Sequence, residues 1–155
     1  MAGVGLRAEA PPPDLPGDLL VAGPAGQSVL LRLLAAAAPH HRGGRGSLGL
    51  HWMLPDTPAD FAAVVDLSRR CGWLIPTADF QARAQPLSGG RFHLDWIVVP
   101  LGRTRPNSRS QTGARRSPSG KTQVPEEGEF ASYAFERALP ELARRLAPPP
   151  SDPAP

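Results

Sequence analysis

Residues 91–99, RFHLDWIVV, place Phe92, Leu94, Trp96 and Val98 on one side and Arg91, His93, Asp95, Ile97 and Val99 on the other. A period of two is the signature of a β-strand, and one side made wholly of large apolar groups demands a second layer to cover it. Its end, Ile97-Val98-Val99, is apolar on both sides, as in a strand covered twice. Residues 48–54 repeat the pattern, with Leu48, Leu50, Trp52 and Leu54 opposed to Gly49, His51 and Met53. Everything else in the chain has to be arranged around these two strands.

The remaining elements follow from local signals. Residues 18–22, DLLVA, form a short apolar run that breaks at Gly23, which predicts a buried strand. Residues 28–38 are Leu- and Ala-rich up to Pro39 and predict a helix. Thr57-Pro58-Ala59-Asp60 has an N-cap residue, a proline at the first helical position and an acid in the first turn, which predicts a helix running to Cys71 and stopping at Gly72. Residues 73–75 read as a short strand. Residues 78–84 read as an extended arm joined to 91–99 by a hairpin at Pro86-Leu87-Ser88-Gly89-Gly90.

This order predicts an α/β fold, a small sandwich with a mixed sheet, spanning residues 18–102. Twenty prolines and 16 glycines in 155 residues place a good part of the chain outside that core. Residues 1–17 and 148–155 are expected to be disordered, and residues 103–125 to be a basic disordered linker. Residues 126–147 predict an amphipathic helix with Phe130, Ala134, Ala138, Leu142 and Leu146 on one face, kinked or split at Pro140. At 41% hydrophobic and 20% charged residues, the centre still has enough apolar surface to fold.

No run approaches the roughly 18 apolar residues of a membrane span. Residues 1–18 lack the apolar stretch of a secretory signal, and the single Cys71 has no internal disulfide partner. Both features point to an intracellular, reducing compartment, cytoplasmic, or nuclear in a eukaryote.

The formal charge of +3 is unevenly spread. Arg103, Arg105, Arg109, Arg115, Arg116 and Lys121 fall in a stretch with no acid, followed by Glu126, Glu127 and Glu129. Six cations in a flexible segment can neutralise nucleic acid phosphates without reading sequence, although the acids beside them could screen the charge. The segment has no interleaved aromatics for base stacking, and Ser108, Ser110, Ser117 and Ser119 would lower its charge if phosphorylated.

Other motifs read more plainly. Gly23-Pro24-Ala25-Gly26-Gln27-Ser28 resembles part of a P-loop, but Val21 replaces its first glycine and Gln27 its lysine, so an ordinary strand-to-helix turn is expected. His40, His41, His51 and His93 match no metal-ligand spacing. Cys71, at a helix C-terminus, would be a poor nucleophile. Leu30-Leu31-Arg32-Leu33-Leu34 fits a leucine-rich docking motif, but such runs are more often core.

Residues 77–99, with an aromatic at Phe80, a Gly-Gly turn and then His93-Leu94-Asp95-Trp96-Ile97-Val98, resemble the late strands of the endonuclease/exonuclease/phosphatase superfamily. The resemblance implies a divalent-metal-dependent phosphoesterase using Asp95 with His93 or His51, Mg²⁺ as its cofactor, and Asp56, Asp60, Asp79 or His51 beside Asp95 in a cleft. Of that family's motifs only Asp95 carries over. The Gly-Asp-x-Asn segment and the terminal Ser-Asp-His are not in the chain.

No set of nucleophile or metal ligand, base and orienting group is complete in the sequence. The expected function is therefore a non-enzymatic binding or adaptor protein. It would use no cofactor and would contact a protein partner or nucleic acid phosphate through the basic linker and the helix from Phe130 to Leu146. The phosphoesterase centred on Asp95 is the alternative.

Overall fold

The computed structural model describes residues 5–42, 47–98 and 126–148. Within them the fold is mixed α/β, built on two sheets. Strands β1 (Arg7–Glu9), β2 (Leu19–Ala22), β3 (Ser28–Ala36), β6 (Phe61–Asp66) and β7 (Cys71–Pro76) form one sheet in the order β1-β2-β3-β6-β7. Strands β4 (His40–Arg42), β5 (Ser47–Leu54), β9 (Arg91–Val98) and β8 (Gln85–Leu87) form the other in the order β4-β5-β9-β8. The first sheet is mixed, as expected: β3 and β6 run parallel, while the other pairs are antiparallel. The helical elements are α1 (Thr77–Arg83), a 3₁₀ segment (Glu127–Tyr133) and α2 (Phe135–Arg145).

The alternating strands behave as their pattern requires. Leu50, Trp52, Leu54, Leu94, Trp96 and Val98 are buried against Ala62, Val64, Trp73 and Ile75 of the five-stranded sheet, with Phe80 of α1 and Phe130 of the 3₁₀ segment in the same core. Trp96 sits at the centre of an aromatic cluster, its ring centroid 5.6 Å from Trp52, 5.0 Å from Trp73 and 4.3 Å from Phe130. On the opposite face of the five-stranded sheet α2 lays Leu142 and Leu146 over Val21, Leu31, Ala63 and Leu74.

Several sequence expectations are corrected. Residues 28–36 are a strand, not a helix. As the central strand of the five-stranded sheet, β3 is apolar on both sides, a pattern that periodicity alone cannot separate from a buried helix. Of the leucine-rich motif, Leu30 and Leu31 are buried in the core, while Leu33 is exposed. The five residues from Gly23 to Gln27 form the hairpin turn between β2 and antiparallel β3, which begins at Ser28, with Gly26 at φ +78° and no helix start to hold a phosphate.

The helix expected from Thr57 to Cys71 is instead the β6–β7 hairpin. The capping groups are present but used differently: Thr57 Oγ1 accepts the Ala59 N–H at 3.2 Å, and the Asp60 carboxylate accepts the Leu30 N–H of β3 at 2.7 Å. Gly72 is no helix cap; it lies within β7, where the Phe135 ring fills the space a Cβ would need. Residues 77–83 are helix α1, and the arm preceding the hairpin shrinks to β8, with Gly89 and Gly90 in the left-handed region as anticipated.

At the N-terminus, part of the segment expected to be disordered forms β1, which pairs with β2. The C-terminal segment breaks at Ala134, not at Pro140, because Ala134 pairs in bridge fashion with Trp73 and adopts φ −53°, ψ 140°. Pro140 lies inside α2 on an exposed position. No helix among the described residues is long and apolar enough to cross a membrane.

Candidate nucleic-acid interface

The outward side of the four-stranded sheet carries the residues that alternation excludes from the core. On β5 these are Gly49, His51 and Met53, and on β9 they are Arg91, His93, Asp95 and Ile97. The register sets His51 opposite Asp95 and Met53 opposite His93, while β4 brings His40 opposite Gly49. With no side chain on Gly49, the His40 ring lies against His51, centroids 4.7 Å apart at 72°; His51 and His93 follow at 6.1 Å and 59°. His40, His51, Met53 and Arg91 are exposed, and His93, Asp95 and Ile97 are half-buried.

None of the described helices covers this side. α1 and the 3₁₀ segment insert Phe80 and Phe130 into the core between the sheets, and α2 lies over the far face of the five-stranded sheet.

Beyond the reach of β8, which pairs only with residues 91–93, Ile97 meets Glu126 in a parallel bridge. Ile97 and Glu126 thus bring the two described segments that flank residues 99–125 side by side. Arg103, Arg105, Arg109, Arg115, Arg116 and Lys121 fall between these two points and lie outside the described residues, as does the terminal stretch 149–155.

The acids that follow the basic segment are committed to the fold. Glu127 takes two hydrogen bonds from the Arg69 guanidinium, at 2.7 and 3.1 Å. The Glu129 carboxylate accepts the Glu126 N–H at 2.9 Å in a capping box. Arg69 also donates to Asp66, which is completely buried and accepts in addition the Ser68 N–H at 2.9 Å, the Ser68 hydroxyl at 2.7 Å and the Arg69 N–H at 3.2 Å. Burial by itself would push the Asp66 carboxyl up; the hydrogen bonds from Arg69 and Ser68 outweigh it and hold the group below the usual carboxylate range. Burial also pushes the Cys71 thiol up, which keeps it in its unreactive form.

The structure thus brings Asp95, His93 and His51 together. Of the other carboxylates the phosphoesterase reading would gather, Asp60 is hydrogen-bonded to β3 and Asp79 accepts the Tyr133 hydroxyl at 2.8 Å. Among the described residues no group of three His, Cys, Asp or Glu side chains is placed to hold a metal ion. The helix face from Phe130 to Leu146, expected to grip a partner, is spent inside the fold: Phe130, Leu142 and Leu146 are all buried. His40 was not part of any sequence-derived site. The outward parity of His51 and His93 was readable, but the register that makes a row of the three rings was not.

No family model matches the chain, and no curated protein matches it. Among solved structures, that of a bacterial homing endonuclease, I-Ssp6803I, is similar at 12% identity, covering 91% of this chain and 78% of that one, with a TM-score of 0.47. A likeness at that level carries no argument about function.

Proposed function

We propose that the protein is a non-enzymatic nucleic-acid-binding protein whose affinity comes from Arg103, Arg105, Arg109, Arg115, Arg116 and Lys121. The observation that carries this reading is the commitment of the neighbouring acids. Glu127 shares the Arg69 guanidinium with Asp66, and the Glu129 carboxylate accepts the Glu126 N–H, so both acids have partners within the fold while each keeps its charge.

The test is filter binding of the full chain to a short single-stranded oligonucleotide over a range of salt. Six phosphate contacts predict a slope of about −4 in log K against log salt. Replacing all six cations by Gln should remove most of the affinity and flatten the slope. An unchanged slope in that variant overturns the proposal.

The position of His51 opposite Asp95 favours a second reading, a metal-dependent phosphoesterase. Among the described residues no group of three His, Cys, Asp or Glu is placed to hold a divalent ion for it. Oligonucleotide cleavage with Mg²⁺ or Mn²⁺ that is lost in Asp95→Ala would establish this second reading, and no cleavage in the wild type would end it.

A further inference from the structure

We infer that the outward face of the four-stranded sheet, where His40, His51 and His93 form a row of rings beside Arg91, is a stacking surface for unpaired bases of a single-stranded nucleic acid. The inference rests on the nucleic-acid reading above and supplies what the basic segment lacks. That segment has charge but no aromatic residue, and charge alone holds any polyanion.

The three rings have no role in either core cluster, since all three occupy the outward side of their strands. Histidine rings and arginine planes are partners on which splayed bases stack. A base between two rings needs about 6.8 Å, twice the roughly 3.4 Å step of a nucleic acid strand. The His51 and His93 centroids are 6.1 Å apart with planes at 59°, short of that spacing and far from parallel, so a base stacks on the outward face of a ring and not between the two. His40 and His51, at 4.7 Å, are in edge-to-face contact, which steadies the His51 ring.

Met53, opposite His93, and Ile97, two residues past Asp95, add apolar area to the same face. Arg91, exposed two residues before His93 on the same side of β9, offers a cation to the sugar-phosphate backbone. A duplex cannot use such a face, because its bases are already stacked and paired.

The experiment is fluorescence anisotropy of the full chain in EDTA with three labelled probes: a short single-stranded oligonucleotide, an abasic strand of equal length and the corresponding duplex. The wild type should bind the base-bearing strand about tenfold more tightly than the abasic strand. His51→Ala and His93→Ala should erase that preference while leaving the salt slope unchanged, and His93→Phe should retain it. Circular dichroism would confirm that these outward-facing substitutions leave the fold intact. Equal wild-type affinity for base-bearing and abasic strands, with the full salt slope, removes the stacking surface and leaves the charge-based reading standing. No binding to any probe removes both.

Discussion

Replacing Arg69 with methionine should damage the fold at neutral pH and do so much less in acid. Asp66 is completely buried, and Arg69 is its only cationic partner among the described residues. Methionine keeps the apolar stem and removes the guanidinium, leaving a buried carboxylate with Ser68 and a backbone N–H but no opposing charge. Breaking a buried pair from one side costs about 3–5 kcal/mol. The bond from Arg69 to the partly exposed Glu127 adds little, because solvent screens it.

The pH dependence of Arg69→Met has a definite sign. In the wild type the Asp66 carboxyl lies below its ordinary value of 3.8 in the folded state, so its contribution is complete above that pH and is lost as pH falls through the folded value. In Arg69→Met burial dominates and raises the same carboxyl, so acid neutralises it and relieves the penalty. The difference between the two proteins should therefore shrink from about 3–5 kcal/mol at pH 7 to about 1 kcal/mol or less near pH 3. Urea unfolding followed by tryptophan fluorescence reads this directly, since Trp52, Trp73 and Trp96 are all buried. A cost at pH 7 below about 1 kcal/mol, or one of equal size at both pH values, would refute the reasoning.

Further perturbations test the rest of the architecture. Phe130→Ala empties a fully buried site against Trp96 and should cost about 3–5 kcal/mol in urea unfolding, whereas a detached C-terminal helix would lose almost nothing. Gly72→Ala puts a methyl group where the Phe135 ring lies and should cost about 1–3 kcal/mol, with α2 giving way first in amide hydrogen exchange. Arg70 sits at φ 53°, so Arg70→Gly should raise the thermal midpoint, by an amount that corresponds to about 1 kcal/mol or less. Arg69→Met also frees Glu127 and should weaken oligonucleotide binding at low salt more than at high salt, as measured by filter binding.

The strands whose sequence alternates were legible, and the strands whose sequence is apolar on both sides were not. β5 and β9 alternate because one side meets the core and the other meets water, so their parity survives in the sequence. β3 and β6 lie in the interior of the five-stranded sheet, where Leu, Ala and Val suit either side, and no period of two remains to distinguish them from a buried helix. The capping pattern at Thr57 misled for a related reason. A hydroxyl that accepts an N–H two residues on serves a turn as well as a helix start, and pairing with β3 and β7 decided between them.

The candidate site divides along the same line. The outward parity of His51, His93 and Asp95 follows from strand alternation, but their neighbourhood depends on a register set by the whole β5–β9 ladder. The partner of Glu127 lies further away still. In sequence, Glu127 and Glu129 stand beside six cations and look like their counterions. In the fold Glu127 answers to Arg69, 58 residues away, because the completely buried Asp66 draws that guanidinium to the edge of the five-stranded sheet, where the 3₁₀ segment passes. The same arginine thus serves the buried Asp66 carboxylate and Glu127 at once. If the protein binds nucleic acid as proposed, the stability of Asp66 and the strength of that binding should change together in any Arg69 variant. Restoring the ion pair with lysine should recover only part of each, because an ammonium group cannot make the forked contact to Glu127.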